Sequence, residues 1–141
     1  MSLAGARLIA PADADAVEAL RVAAVEEIAT LRGGALYPLR PLPPPDVASQ
    51  PVWVGELAGT VVGYLAASVT GVTGMIDAIY VDRGCRSVGI GSAMLAQALA
   101  WMVGEGCEGV DADALPGARH TKNFFEEAGF TARLLVVHRR L

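Results

Sequence analysis

Apolar positions along the chain change their period several times, and each change marks an element. Residues 7–9 make a short apolar start consistent with a first strand. Pro11 stops it, and Asp13 or Asp15 stands where a helix cap is needed. Val17, Leu20, Ala24, Ile28 and Leu31 then recur at helical spacing until Gly33 and Gly34 end the pattern. Residues 36–51 hold six prolines, which excludes regular structure. Such a loop either borders a substrate site or is a plain surface connection. Residues 52–57 and 61–69 are β-rich runs joined by Ala58-Gly59-Thr60, a hairpin signal. A turn around Gly71 leads into another strand at 75–81.

Beyond Val81 the period lengthens again. Residues 90–103 read as a helix ended by Gly104 and Gly106, and 109–114 as a short strand punctuated by Pro116-Gly117. A helix at 118–128 follows, with Gly129 just past its end. Residues 130–137 read as a last apolar strand. No internal repeat or low-complexity tract interrupts this order, so residues 1–141 read as one domain of α/β (α+β) class.

Composition narrows the possibilities. With 141 residues, 53% of them hydrophobic and 18% charged, the chain can bury a core without staples and does not fit disorder. Its apolar runs are too short and broken for a spanning helix, and its start lacks a signal-peptide pattern, which points to a cytoplasmic protein with no membrane partner. A net charge of −4, with no basic cluster before the last ten residues, argues against a nucleic-acid partner. Cys85 and Cys107 make neither a disulfide framework nor a metal spacing and read as reduced thiols. Ten of the eleven basic residues are Arg and Ala is frequent, which suggests a GC-rich bacterial genome.

The chemistry concentrates between Ile79 and Leu95, where a strand ends, a loop follows and a helix opens near Gly89 or Ile90. A helix N-terminus presents unpaired N–H groups and the positive end of a dipole. Glycines at 89 and 91 let an anion such as pyrophosphate approach those groups, and Arg86 adds a cation at the loop's edge. The spacing lacks the Lys of a phosphate-binding P-loop. It also lacks the third glycine and the parallel-sheet context of a dinucleotide fingerprint.

Arg86-Ser87-Val88-Gly89-Ile90-Gly91 resembles motif A, Arg/Gln-x-x-Gly-x-Gly/Ala, of the GNAT (GCN5-related N-acetyltransferase) superfamily. Ile79-Tyr80-Val81 is similar to the strand before that motif, the helix from Ser92 to the one after it, and Phe124 to Phe130 to the family's helix ending in Gly-Phe. The resemblance implies a mixed, mostly antiparallel and partly splayed central sheet flanked by helices. It also implies acetyl-CoA as cosubstrate, no metal, and acetyl transfer to a primary amine by direct attack. Main-chain groups of Ile79 and Val81 would hold the pantetheine arm, and the N–H groups of Ser87, Val88, Gly89, Ile90, Gly91 and Ser92 the pyrophosphate.

For the base that takes the amine proton, Asp77 is the first candidate, because strand alternation puts it on the face of Ile79 and Val81. Glu56 is the second. In the family a Tyr five residues before the Phe of Gly-Phe protonates the leaving thiolate; here that residue is Phe125, which has no proton to give. Either the thiolate then leaves unaided or Tyr80 or Tyr37 is the acid, with an acyl-CoA-binding or sensing module of little turnover as the alternative. The family's Asn corresponds to Ala118, and Asn123, one turn on, is its candidate replacement toward the coenzyme. Asp111 and Asp113 share a strand face and would bind a cationic acceptor or stand as edge charges. Arg119 and Lys122 would meet a coenzyme phosphate or lie in solvent. His120 and His138 read as isolated, and Trp53 and Trp101 as core or interface residues. The acceptor pocket is expected from the Pro-rich loop and the first helix. Where the family commonly ends in two strands, this chain has room for one, and pairing of the exposed edge predicts a homodimer.

Overall fold

The computed structural model describes residues 3–32 and 42–141. The expected ends of the first helix at Gly33 and Gly34, the first part of the Pro-rich stretch and Tyr37 lie outside these residues. Five strands form one sheet in the order β1(Ala4–Leu8), β2(Val52–Leu57), β3(Thr60–Thr70), β4(Thr73–Val81) and β5(Gly109–Ala112). The first four are antiparallel neighbours and β5 joins β4 in parallel. The helices are α1(Ala14–Ala29), α2(Ile90–Gly104) and α3(Arg119–Glu127).

Local chemistry explains most junctions. β2 and β3 are joined by the two residues Ala58 and Gly59, with φ of 51° and 83°, the positive pair that matches the twist of the strands it joins. Asp13 stands at the N-cap of α1, but its carboxylate reaches elsewhere: it accepts from the backbone N–H of Ala10 at 2.7 Å and from both terminal nitrogens of Arg7. Arg7 also donates to Glu56 at 2.5 Å. This charge cluster ties β1 and β2 to the start of α1.

The two faces of the sheet are covered differently. Val17 and Leu20 of α1 pack on Val54 and Tyr64, with Ala78 and Tyr80 alongside. On the other face Ile90, Met94, Leu95, Ala98 and Met102 of α2 pack on Trp53, Leu65, Ala67 and Ile76, and Phe125 of α3 joins them. Trp53 meets Trp101 edge to face with ring centroids 6.0 Å apart, so the two tryptophans serve packing.

Close approach of α2 requires glycine in three strands. A Cβ on Gly55 of β2 would collide with Cγ2 of Ile90. One on Gly63 of β3 would press on the Tyr80 carbonyl and the tip of Met94, and one on Gly74 of β4 would collide with Met102.

The expected strand at 130–137 is not formed. Residues 130–141 carry no ladder, and Leu134, Leu135, Val136 and Val137 are exposed. A strand needs a neighbouring backbone, and the segment is instead tied to β5 through a side chain: Arg133 forks onto Asp111 at 2.8 and 2.5 Å. The strand expected at 109–114 likewise stops at Ala112.

Because Ile90 is short and branched whereas Met102 can move its thioether, Gly55→Ala is expected to destabilise by about 1–3 kcal/mol and Gly74→Ala by less. Urea unfolding of both variants checks this order.

Candidate active site at the splayed end of the sheet

The site follows from an inequality of strand length. β5 pairs with β4 only from Thr73↔Gly109 to Ile76↔Ala112, while β4 continues to Val81. Among the described residues, 77–81 therefore keep one edge with no strand beside it. Asp77 lies at the start of this gap and at a bulge, since Ala66 pairs with Ala78 and Ala67 with Ile76, leaving Asp77 as the extra residue.

The bulge overturns the simple alternation expected for Asp77. Gly74 and Ile76 face α2 before it, Ile79 and Val81 face α2 after it, and Ala78 and Tyr80 face α1. Shared parity with Ile79 and Val81 thus gives Asp77 no orientation. What the fold does give it is place: an exposed carboxylate at the fork of the two strands, accepting from Nε2 of Gln50 at 3.1 Å while the same amide donates to the Ala67 carbonyl at 3.0 Å.

Beyond Val81 the chain turns sharply into α2. Asp82 donates its N–H to Val62 O at 2.7 Å, and its carboxylate accepts from the N–H of Gly84 at 3.0 Å. Ser87 has φ of 67° and Gly89, the N-cap of α2, has φ of 91°. Gly89 makes no side-chain cap, and a Cβ there would meet open space, so glycine is set by backbone conformation. Gly91 differs: the Phe124 ring of α3 lies 3.2 Å from where its Cβ would stand. The first intrahelical bond is Ala93 N–H to Gly89 O at 3.0 Å. Among the described residues no backbone carbonyl accepts from the N–H groups of Ile90, Gly91 or Ser92. The splayed edge of β4 and this donor-rich helix end are continuous in the chain.

Arg86 does not extend outward as expected. Its Nε donates to Val81 O at 3.0 Å, its Nη2 meets Glu27 Oε2 at 2.7 Å, and its guanidinium lies 5.3 Å from the centroid of the Tyr80 ring. Arg83 reaches the other oxygen of Glu27 at 3.0 Å. The Arg86 hydrogen bond, foremost, holds the Glu27 carboxyl below its ordinary range. Partial burial, followed by the nearby Glu27 charge, raises the Tyr80 phenol and keeps it protonated at neutral pH. Its ring faces α1, opposite to Ile79 and Val81.

Two groups here escaped the sequence reading. His120, exposed at the start of α3, has its pKa lowered by desolvation and then by the charge of Arg86. Glu27 had a local signal. α1 carries Glu26 and Glu27 near its C-terminal end with no basic residue in the last turn, the unfavourable arrangement for the helix dipole.

Other candidates lie apart. Glu56 is engaged by Arg7 on the α1 side of β2, with β3 between it and β4. Asp111 is engaged by Arg133, which holds its carboxyl low. Asn123 is exposed on α3, and Lys122 pairs with Glu126 at 3.2 Å. Phe125 is buried against Phe124 and Phe130, with centroids 5.3 and 5.0 Å away. A largely apolar cavity of about 460 Å³ lies between α1 and the Pro-rich stretch, lined by Ile9, Pro11, Val17, Glu18, Pro44 and Val47. It lies beside Ile9 at the end of β1, and the stretch that lines it runs on to Gln50, whose side chain bonds Asp77. Among the described residues no cluster of His, Cys, Asp or Glu is placed to hold a metal. No described helix is long and apolar enough to cross a membrane.

Known proteins match this arrangement. The model of the acetyltransferase (GNAT) family matches residues 22–130. Among solved structures, the chain is similar to an aminoglycoside N-acetyltransferase, AAC(6')-Iy, in complex with CoA, with a TM-score of 0.71 and 15% identity over 100% of this chain and 96% of that one. It is also similar to a GCN5-related N-acetyltransferase from Ralstonia eutropha, with a TM-score of 0.71 and 19% identity over 97% and 98% of the two chains. An acetyltransferase from Trypanosoma brucei shares the fold with a TM-score of 0.67 and 20% identity over 98% and 99%. A search of curated proteins finds no match. The family match spans the splayed strand, the helix opening after it and the packing helices, and the chain belongs to the GNAT acetyltransferase family.

Proposed function

We propose that the chain is an N-acetyltransferase that moves an acetyl group from acetyl-CoA to a primary amine. The observation that carries this reading is continuity: an open β4 edge at 77–81 runs directly into a helix N-terminus with unpaired N–H groups. That edge suits an amide-bearing arm added as a strand would be, through main-chain groups of Ile79 and Val81. The backbone N–H groups of Ser87, Val88, Gly89, Ile90, Gly91 and Ser92 suit the pyrophosphate, with Asn123 on α3 as a further contact. The thioester supplies an acyl group activated toward a neutral amine.

Asp77, at the fork, is the base in this reading and receives the amine proton directly or through water. Glu56 is less suited, because Arg7 already engages it. Tyr80, kept protonated, is the remaining described candidate for the acid. A second reading, an acyl-CoA-binding or sensing module with little turnover, is favoured by one observation: Phe125 fills the family's acid position with a buried ring. The protein is cytoplasmic in this account, and the acceptor is a small-molecule or protein amine. It is also a homodimer, joined through the β5 edge and the exposed apolar run 134–137.

Calorimetry is expected to show acetyl-CoA binding by the wild type and its loss in Gly89→Glu, where both charge and φ are wrong. Asp77→Asn is expected to bind normally and to lose roughly 10²–10⁴-fold in thiol release with an accepted amine. Failure of the wild type to bind contradicts both readings, whereas binding without any turnover favours the second. Light scattering should give twice the chain mass; a single-chain mass at every concentration contradicts the dimer.

A further inference from the structure

The loop between β4 and α2 is held from outside itself. Glu27 belongs to the last turn of α1, 59 residues from Arg86 and 56 from Arg83, yet its carboxylate takes one arginine on each oxygen. Glu27 is largely buried, with its side chain 12% exposed; that of Arg86 is 26% exposed and that of Arg83 76%. Arg86 is further fixed by the Val81 carbonyl behind it and the Tyr80 ring beneath it. Nε and Nη2 of Arg86 thus both point back into the protein. The guanidinium is placed to shape the loop, and the N–H groups beyond it are left to meet a ligand.

Local energetics fit this use. A carboxylate at the C-terminal end of a helix is disfavoured by the dipole and gains its place from partners elsewhere. Two arginines with hydrogen bonds to separate oxygens supply that compensation, and charge-assisted bonds are stronger than neutral ones. The arrangement also bridges the strain in the loop, since Ser87, the residue after Arg86, holds φ at 67° without being glycine.

We infer that Glu27 is a positioning residue for the coenzyme loop: by clamping Arg86 and Arg83 it holds the donors at the N-terminus of α2 in the geometry that receives a pyrophosphate. The inference rests on the function proposed above for what the loop binds. The clamp itself is a property of the ligand-free protein, which allows the two to be tested apart.

The experiment combines hydrogen exchange with a double-mutant cycle. In ligand-free Glu27→Gln, the hydrogen-bonded amides that bracket the loop, those of Asp82, Cys85 and Ala93, are expected to exchange roughly tenfold faster than in the wild type, while those in the centre of β3 are unchanged. The exposed Arg83→Gln variant, which keeps the buried pair, should show a smaller acceleration in the same amides and covers the case in which Glu27→Gln folds poorly. For acetyl-CoA, Glu27→Gln and Arg86→Gln should each raise Kd roughly tenfold, and the double variant should lose no more than either single one, because one interaction is removed twice. Wild-type exchange rates in both Glu27→Gln and Arg83→Gln would overturn the clamp. So would losses in Kd that multiply in the double variant, which would mean that Arg86 acts on the ligand without Glu27. Accelerated exchange in a protein whose wild type fails to bind acetyl-CoA would support the clamp and count against the proposed function.

Discussion

The seating of α2 on the sheet governs the rest of this structure. Three glycines in three successive strands, Gly55, Gly63 and Gly74, remove the side chains that would hold the helix away. Ile90, Met94 and Met102 fill the space so made and are buried. A helix that approaches this closely has its axis, and therefore its N-terminus, fixed relative to β4. The donor groups of Ile90, Gly91 and Ser92 then stand at the end of β4 without any need for a flexible loop to find them. Phe124 of α3, packed where Gly91 lacks a Cβ, fixes the third helix against the same point.

Against that rigid frame the sheet is opened in a controlled way. β5 pairs with only four residues of β4, and the bulge at Asp77 stands at the end of the paired segment. The extra residue changes which face each later side chain takes, so Ile79 and Val81 pack toward α2 while Tyr80 turns to α1 beneath Arg86. The backbone edge that results is exposed on one side and supported on both faces. Charge completes the arrangement, since Glu27 draws the two arginines of the loop toward α1 and away from the helix opening.

Much of this was legible in the sequence, for reasons that differ by element. The helices and the meander follow from apolar period, and the Ala58-Gly59 turn from its composition, because these signals are local. The helix opening after β4 was legible because glycine at 89 and a strand-to-helix change sit within a few residues of each other. The bulge at Asp77 was not, since it depends on the register of β3 against β4, and an alternation argument assumes that register is unbroken. Arg86 read as a ligand for phosphate because its partner lies in another helix. The 130–137 run has the composition of a strand, but composition does not supply a neighbour, and the described chain leaves it exposed. His120 gains its environment from α1 and the loop, which no spacing within α3 reports.

The central claim is that one continuous surface, the open edge of β4 and the start of α2, receives the coenzyme. Backbone amide NMR during titration with CoA tests it most directly. The account predicts that the largest shifts fall on residues 77–81 and 87–92, with little change around the cavity by Ile9 and Pro44. Shifts confined to that cavity, or none at saturating CoA, would contradict it.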